Sequence, residues 1–301
     1  MEWKGVLPAA TTPFESGGSV DYPMLGQQCQ RLMEAGCSGV VVLGSLGEGG
    51  TLDRREKRQV IEAAVKALEG RGPVVAAVAA LRTSDAVDLA REAEEAGASG
   101  LMLLPPYVYR SDRRETREHF GAVLRATGLP CMLYNNPVAY GTDVLPDQLL
   151  ELATDHATLL AVKESSTDVR RITGIRALLG DRLAISVGVD DEVLEGVSAG
   201  ATSWVAGLAN AFPRESVELF RLASTGRQAE AFELYRWFLP LLRMDTSPKF
   251  VQLIKLLQAE LGLGSSRVRP PRLEVEGEER AQALEALQLA VRTRPAGILQ
   301  P

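Results

Sequence analysis

The sequence predicts an α/β protein, a (β/α)8 TIM barrel followed by a C-terminal helical appendage, and three observations carry that expectation. Short apolar runs alternate with longer amphipathic ones as far as Gly207. One helix-to-strand joint recurs three times: Glu34-Ala35-Gly36-Cys37-Ser38-Gly39-Val40, Glu95-Ala96-Gly97-Ala98-Ser99-Gly100-Leu101 and Ser198-Ala199-Gly200-Ala201-Thr202-Ser203-Trp204. Each reads as a helix end, a glycine suited to a left-handed cap, and a turn into a buried strand. After Gly207 the strand-like runs stop and only helical periodicity continues.

Taken in order, the apolar runs place strands at 6–11, 39–43, 74–79, 100–104, 130–134, 159–163, 183–188 and 203–207. Helical period fills 22–35, 54–69, 84–96, 115–127, 168–179 and 190–199 between them. Strict βα alternation requires parallel strands, and eight such units close most economically into a barrel with its chemistry at the C-terminal strand ends. A doubly wound open sheet is the alternative, but no Gly-x-Gly-x-x-Gly follows the first strand. Segments 213–223, 228–242, 248–261 and 276–291 read as helices with no strand between them. The expected division is a catalytic barrel over 1–225 and a helical region over 226–301. Arg267 to Arg272, with Pro270 and Pro271, reads as a rigid, solvated connection.

A length of 301 residues suits either one large α/β domain or a domain with an appendage, and 46% hydrophobic content is ample for a packed core. A net charge of -6 without runs of like charge argues against nucleic acid or an anionic membrane as partner. The N-terminus enters a strand at once, with no basic-then-apolar signal pattern, and no apolar run reaches membrane-spanning length, so the cytoplasm is the expected location. Cys29, Cys37 and Cys131 lack metal-type spacing, and only His119 and His156 are present. Neither a disulfide framework nor a zinc site is signalled, and the cysteines read as small core residues.

Function is sought at the strand ends. Leu159 to Val162 read as a strand buried on both faces, which puts Lys163 where the chain leaves the core. An ammonium losing water is driven toward the neutral amine, the form that attacks a carbonyl carbon to make a Schiff base. Alternatively Lys163 snorkels to solvent or pairs with Glu164. One βα unit earlier, Tyr134-Asn135-Asn136-Pro137 ends the fifth strand. Its tyrosine reads either as a core residue with a satisfied hydroxyl or as a proton shuttle converging on the mouth with Lys163. After the second strand, the glycine-rich Gly44-Ser45-Leu46-Gly47-Glu48-Gly49-Gly50-Thr51-Leu52, with its hydroxyls, lets backbone N–H groups approach an anion, though such loops are often merely turns.

Gly44-Ser45-Leu46-Gly47-Glu48, Tyr134-Asn135-Asn136-Pro137 and Val162-Lys163-Glu164-Ser165-Ser166, in that order, resemble the dihydrodipicolinate synthase and N-acetylneuraminate lyase family of class I Schiff-base enzymes. The likeness covers the whole chain. It implies a (β/α)8 barrel, no metal or organic cofactor, and oligomers, either tetramers or dimers. It implies that Lys163 forms an imine with a 2-oxo acid, that Tyr134 relays protons, and that Ser45 and its loop hold the carboxylate. Gly44, Leu46, Gly47, Asn136 and Gly188 complete the candidate binding set.

Within that family the chain departs from the dihydrodipicolinate synthases. They usually carry two threonines where this chain has Ser45 and Leu46, and an arginine for the second substrate's carboxylate where it has Ala139. They borrow a relay tyrosine from a neighbouring subunit, and here Val108 takes that place. Tyr140, Asp168 with Arg170-Arg171, Gly188-Val189-Asp190-Asp191, Trp204-Val205-Ala206-Gly207 and Arg269-Pro270-Pro271-Arg272-Leu273 look instead like the 1-pyrroline-4-hydroxy-2-carboxylate deaminases of bacterial hydroxyproline breakdown. The expected function is therefore a Schiff-base enzyme acting on a 2-oxo acid or its cyclic imine, with that deamination first and dihydrodipicolinate synthase or another pyruvate-dependent lyase as the alternative. A non-catalytic 2-oxo acid sensor is the alternative of another class.

Overall fold

A computed structural model of the protein describes residues 1–295. Eight parallel strands, β1 (Gly5–Pro8), β2 (Val40–Val42), β3 (Val74–Val78), β4 (Gly100–Leu103), β5 (Cys131–Asn135), β6 (Leu159–Glu164), β7 (Ala184–Val187) and β8 (Ser203–Ala206), form one sheet in the order β1-β8-β7-β6-β5-β4-β3-β2. Its two edges meet: Ala9 bridges Val41 in parallel and the Ala10 N–H donates to the Val41 carbonyl at 2.8 Å. The result is the nearly closed (β/α)8 barrel that the alternation predicts.

The helices are α1 (Tyr22–Glu34), α2 (Arg54–Leu68), α3 (Thr83–Glu95), α4 (Arg113–Leu124), α5 (Pro137–Tyr140), α6 (Pro146–Asp155), α7 (Arg170–Leu179), α8 (Val193–Ser198) and α9 (Pro213–Ser224). Local chemistry sets their starts. Asp53 with Glu56 and Asp112 with Glu115 form reciprocal capping boxes, so α2 and α4 begin with two backbone donors satisfied each. The helix α6 is missing from the sequence reading. Pro137 and Pro146 look like loop punctuation, yet both occupy first helical positions, where a missing N–H costs nothing, and Leu149, Leu152 and Ala153 bury one face.

Beyond the barrel come α10 (Gln228–Leu242), a 3-10 turn at Arg243–Thr246, α11 (Phe250–Glu260) and α12 (Gly277–Arg292). The expected region 226–301 holds these helices; its residues 296–301 lie outside the described residues. The connection at Arg267 to Arg272 is not the solvated spacer expected. Arg269 is part-buried and donates to the Gly18 carbonyl at 2.7 Å and to the Thr51 carbonyl at 2.8 Å, while pairing with Glu56 at 2.6 Å. Its guanidinium also lies 4.7 Å from the Phe14 ring, so the segment straps the start of the chain to α2.

Cys29, Cys37 and Cys131 are buried and free, and burial pushes each thiol up to about 12. No helix among the described residues is long and apolar enough to cross a membrane.

Candidate active site

The register of β5 against β6 aligns Tyr134 with Lys163 and Asn135 with Glu164. Successive residues of a strand face opposite ways, so one aligned pair points into the barrel mouth and the other away. The Lys163 ammonium lies 4.1 Å from the centroid of the Tyr134 ring, and both side chains are buried. Behind them Glu164 accepts from the Ser166 N–H at 2.7 Å and from Asn135 Nδ2 at 3.1 Å. Asn135 also donates to Asp143, which Arg171 holds bidentately at 2.9 and 3.1 Å. Glu164 thus braces the strand ends; among the described residues Lys163 forms no ion pair, and the snorkelling alternative fails because only 7% of the lysine is exposed.

Burial holds the Lys163 amine below its ordinary range, and the charges of Asp245, Tyr140 and Asp190 act against that shift. The Tyr134 hydroxyl, pushed up by burial, accepts from Asn136 Nδ2 at 3.1 Å. Asn136 also caps α5 by accepting the Ala139 N–H at 2.9 Å, which sets Tyr140 over the mouth. There Tyr140 stands edge-on to Tyr134 with ring centroids 5.7 Å apart, and its hydroxyl bonds to the Ser45 hydroxyl.

Gly188 ends up against Lys163: a Cβ there would lie 2.7 Å from Lys163 Cε and 2.0 Å from Ser165 Oγ, so only glycine lets the lysine lie along β7. A similar limit shapes the loop after β2, where a Cβ on Gly47 would meet the Ala10 carbonyl at 2.9 Å. Among the described residues, no backbone acceptor takes the N–H groups of Ser45, Leu46 and Gly47. Gly44 begins this turn. The Leu46 side chain faces elsewhere, into a small apolar cluster with Val251 and Ile254 of α11. The loop rests on Glu48, whose buried carboxylate pairs with Lys255 of α11 at 2.7 Å.

Two residues of the mouth escape the candidate set read from the sequence. Asp190 accepts from Trp204 Nε1 at 3.0 Å and from the Gly207 and Leu208 N–H groups at 3.0 and 2.7 Å, tying the ends of β7 and β8 together. Asp245 arrives from the turn between α10 and α11. Asp190 was visible as part of a motif without a role, whereas nothing near Asp245 in the sequence marks it.

The model of the dihydrodipicolinate synthetase family matches residues 2–290. The chain belongs to this family. A 4-hydroxy-tetrahydrodipicolinate synthase of Methanothrix thermoacetophila is 34% identical over 95% of this chain and 96% of its own, and one of Bacillus subtilis is 31% identical over 93% and 97%. Among solved structures, dihydrodipicolinate synthase from Aquifex aeolicus is 30% identical with a TM-score of 0.91, covering 95% of this chain and 97% of its own. The chloride-inhibited dihydrodipicolinate synthase from Acinetobacter baumannii, complexed with pyruvate, is 27% identical with a TM-score of 0.91 over 96% and 99%. The protein is accordingly a Schiff-base-forming lyase of the dihydrodipicolinate synthetase family, not a bare sensor.

Proposed function

We propose that Lys163 forms the imine with a 2-oxo acid or its cyclic imine, and that Tyr134, Ser45 and Tyr140 pass the protons. The observation carrying this reading is a buried lysine that forms no ion pair among the described residues, stacked on a tyrosine whose hydroxyl is hydrogen-bonded at the same mouth. The substrate carboxylate rests on the free N–H groups of Ser45 to Gly47, which aims C2 at the amine. Attack by the amine lone pair gives a carbinolamine, or opens a cyclic imine, and the relay protonates the departing water or amine. The iminium then draws electrons from C3, and loss of a C3 proton leaves an enamine.

The named relatives support a condensation from that point: the enamine carbon of pyruvate attacks an aldehyde carbon and the aldehyde oxygen takes up a proton. Assembly as an oligomer belongs to the same reading. The chain's own residues support a second course, the deamination of 1-pyrroline-4-hydroxy-2-carboxylate. Ala139 offers no cation to a second carboxylate, Leu46 is given over to packing, and Val108 is 60% exposed without a hydroxyl. Here the enamine pushes out the 4-hydroxyl as water, with the relay supplying its proton. Isomerisation toward C5 and two hydrolyses release ammonia and 2-oxoglutarate semialdehyde, returning the lysine. Every step uses the imine as electron sink, so one lysine with a proton relay serves both courses.

A side-by-side assay separates them. Ammonia release from the cyclic imine, exceeding condensation of pyruvate with aspartate semialdehyde, assigns the deaminase. The reverse ratio assigns the synthase, and neither activity sinks both.

A further inference from the structure

We infer that Arg269, which lies beyond the barrel in sequence, is a positioning residue for the loop after β2: without touching substrate, it holds Ser45 to Gly47 in the shape that captures a 2-oxo acid by its carboxylate. This inference rests on the reading that this loop receives the carboxylate. The loop does not keep its shape unaided. Glu48, which closes it, has a φ of 53°, a left-handed conformation disfavoured for a residue with a side chain. Its buried carboxylate is gripped at both oxygens by residues that follow the barrel. Lys255 donates to Oε1 at 2.7 Å, and the Arg269 N–H donates to Oε2 at 2.9 Å. Leu46 is packed from the same side, on Val251 and Ile254 with Val268 alongside.

The Arg269 N–H reaches Glu48 because the guanidinium of the same residue is anchored on several sides. It bonds the Gly18 carbonyl ahead of α1, the Thr51 carbonyl just past Glu48 and the Glu56 carboxylate in the first turn of α2, and it lies over Phe14. Thr51 in turn donates its hydroxyl to the Glu48 carbonyl at 2.8 Å, so Arg269 meets Glu48 both at its side chain and through its neighbour. With the guanidinium removed, the strap slackens, the N–H leaves Glu48 Oε2, and Glu48 can relax out of the left-handed region. The N–H groups of Ser45, Leu46 and Gly47 then lose their common direction. Among the described residues Arg269 makes no hydrogen bond or ion pair with β5 or β6, where Tyr134 and Lys163 sit. The loss therefore falls on carboxylate capture and spares the amine.

The test is reductive trapping with borohydride on the full-length protein, scored as the rate of adduct formation on the Lys163 peptide. Two methyl ketones serve as probes: pyruvate, which has a carboxylate, and acetone, which has none. At low, equal probe concentration Arg269→Ala should label about tenfold more slowly with pyruvate, the worth of one charge-assisted hydrogen bond, and at the wild-type rate with acetone. At saturating pyruvate it should still reach one label per chain, so the loss reads as affinity. Arg269→Lys, which keeps a cation beside Glu56 and Phe14, should recover part of the pyruvate rate and decides the matter if the alanine variant loses the wild-type circular dichroism. Equal slowing with both ketones would make Arg269 a support of the fold alone and overturn the inference, as would no slowing with either. Two results in the wild type overturn the underlying readings instead: labelling by pyruvate no faster than by acetone removes the carboxylate loop, and no label on Lys163 removes the Schiff base.

Discussion

Lys163 and Lys255 are both buried, and both stack on an aromatic ring, Lys163 at 4.1 Å from the centroid of Tyr134 and Lys255 at 4.4 Å from that of Phe14. Burial lowers both amines. Lys255 donates to Glu48 at 2.7 Å and to the Thr12 carbonyl at 2.8 Å, so its charge is spent on the pair that seats the Ser45 loop. Among the described residues Lys163 has more distant charges and a ring face, and no ion pair. The difference separates structure from chemistry: a compensated ammonium stays charged and holds parts together, and an uncompensated one is free to be an amine.

That contrast breaks first at Lys163. Lys163→Met should abolish turnover yet raise stability, by about 0.5–2 kcal/mol, since an unpaired buried cation is replaced by apolar packing. Denaturant unfolding and a turnover assay read both. A destabilised Lys163→Met would mean the ammonium has a structural partner after all. The pH dependence sharpens the point. Between the lowered folded value of Lys163 and the ordinary value of about 10.4, the unfolded chain holds a proton the folded chain has lost. Stability should therefore rise with pH in that window in the wild type, with a smaller slope in Lys163→Met.

Tyr134→Phe should keep the fold and imine formation while slowing turnover by roughly 10²–10⁴-fold, the usual worth of a positioned proton-transfer group. Unchanged kcat would return Tyr134 to a purely core role. On the other side of the comparison, Lys255→Met should lose about 3–5 kcal/mol, because Glu48 is left charged and buried without its main partner. Removing Glu48 as well, in Glu48→Gln with Lys255→Met, should recover part of that loss, and an additive double variant would show that the pair is not coupled. The smallest effect belongs to Tyr140→Phe, which keeps the ring beside Tyr134 but removes the bond to Ser45. A fall in kcat of about tenfold, at the low end for one member of a relay, is expected, with pyruvate labelling intact.

Much of the proposed site was legible because the residues assigned to it end apolar strands. Val162-Lys163 and Leu133-Tyr134 break from buried runs into polar residues, and barrel topology brings neighbouring strand ends together. What stayed hidden depends on contacts that local periodicity does not encode. The helix over Pro146–Asp155 was masked by prolines serving as helix starts. Leu46 looks like a loop residue until α11 covers it. Asp245 sits in a short turn between helices, and only the glycine at position 207, which gives no hint of what lies above it, makes room for it.

The most direct measurement is borohydride trapping with pyruvate followed by peptide mapping of the full-length protein. One label per chain on Lys163, with Lys255 unmodified and labelling that falls as acid reprotonates the amine, is the expected result. Label on Lys255, Lys66 or Lys249, or a Lys163→Met protein that still traps pyruvate, would contradict the assignment of the unpaired lysine as the nucleophile.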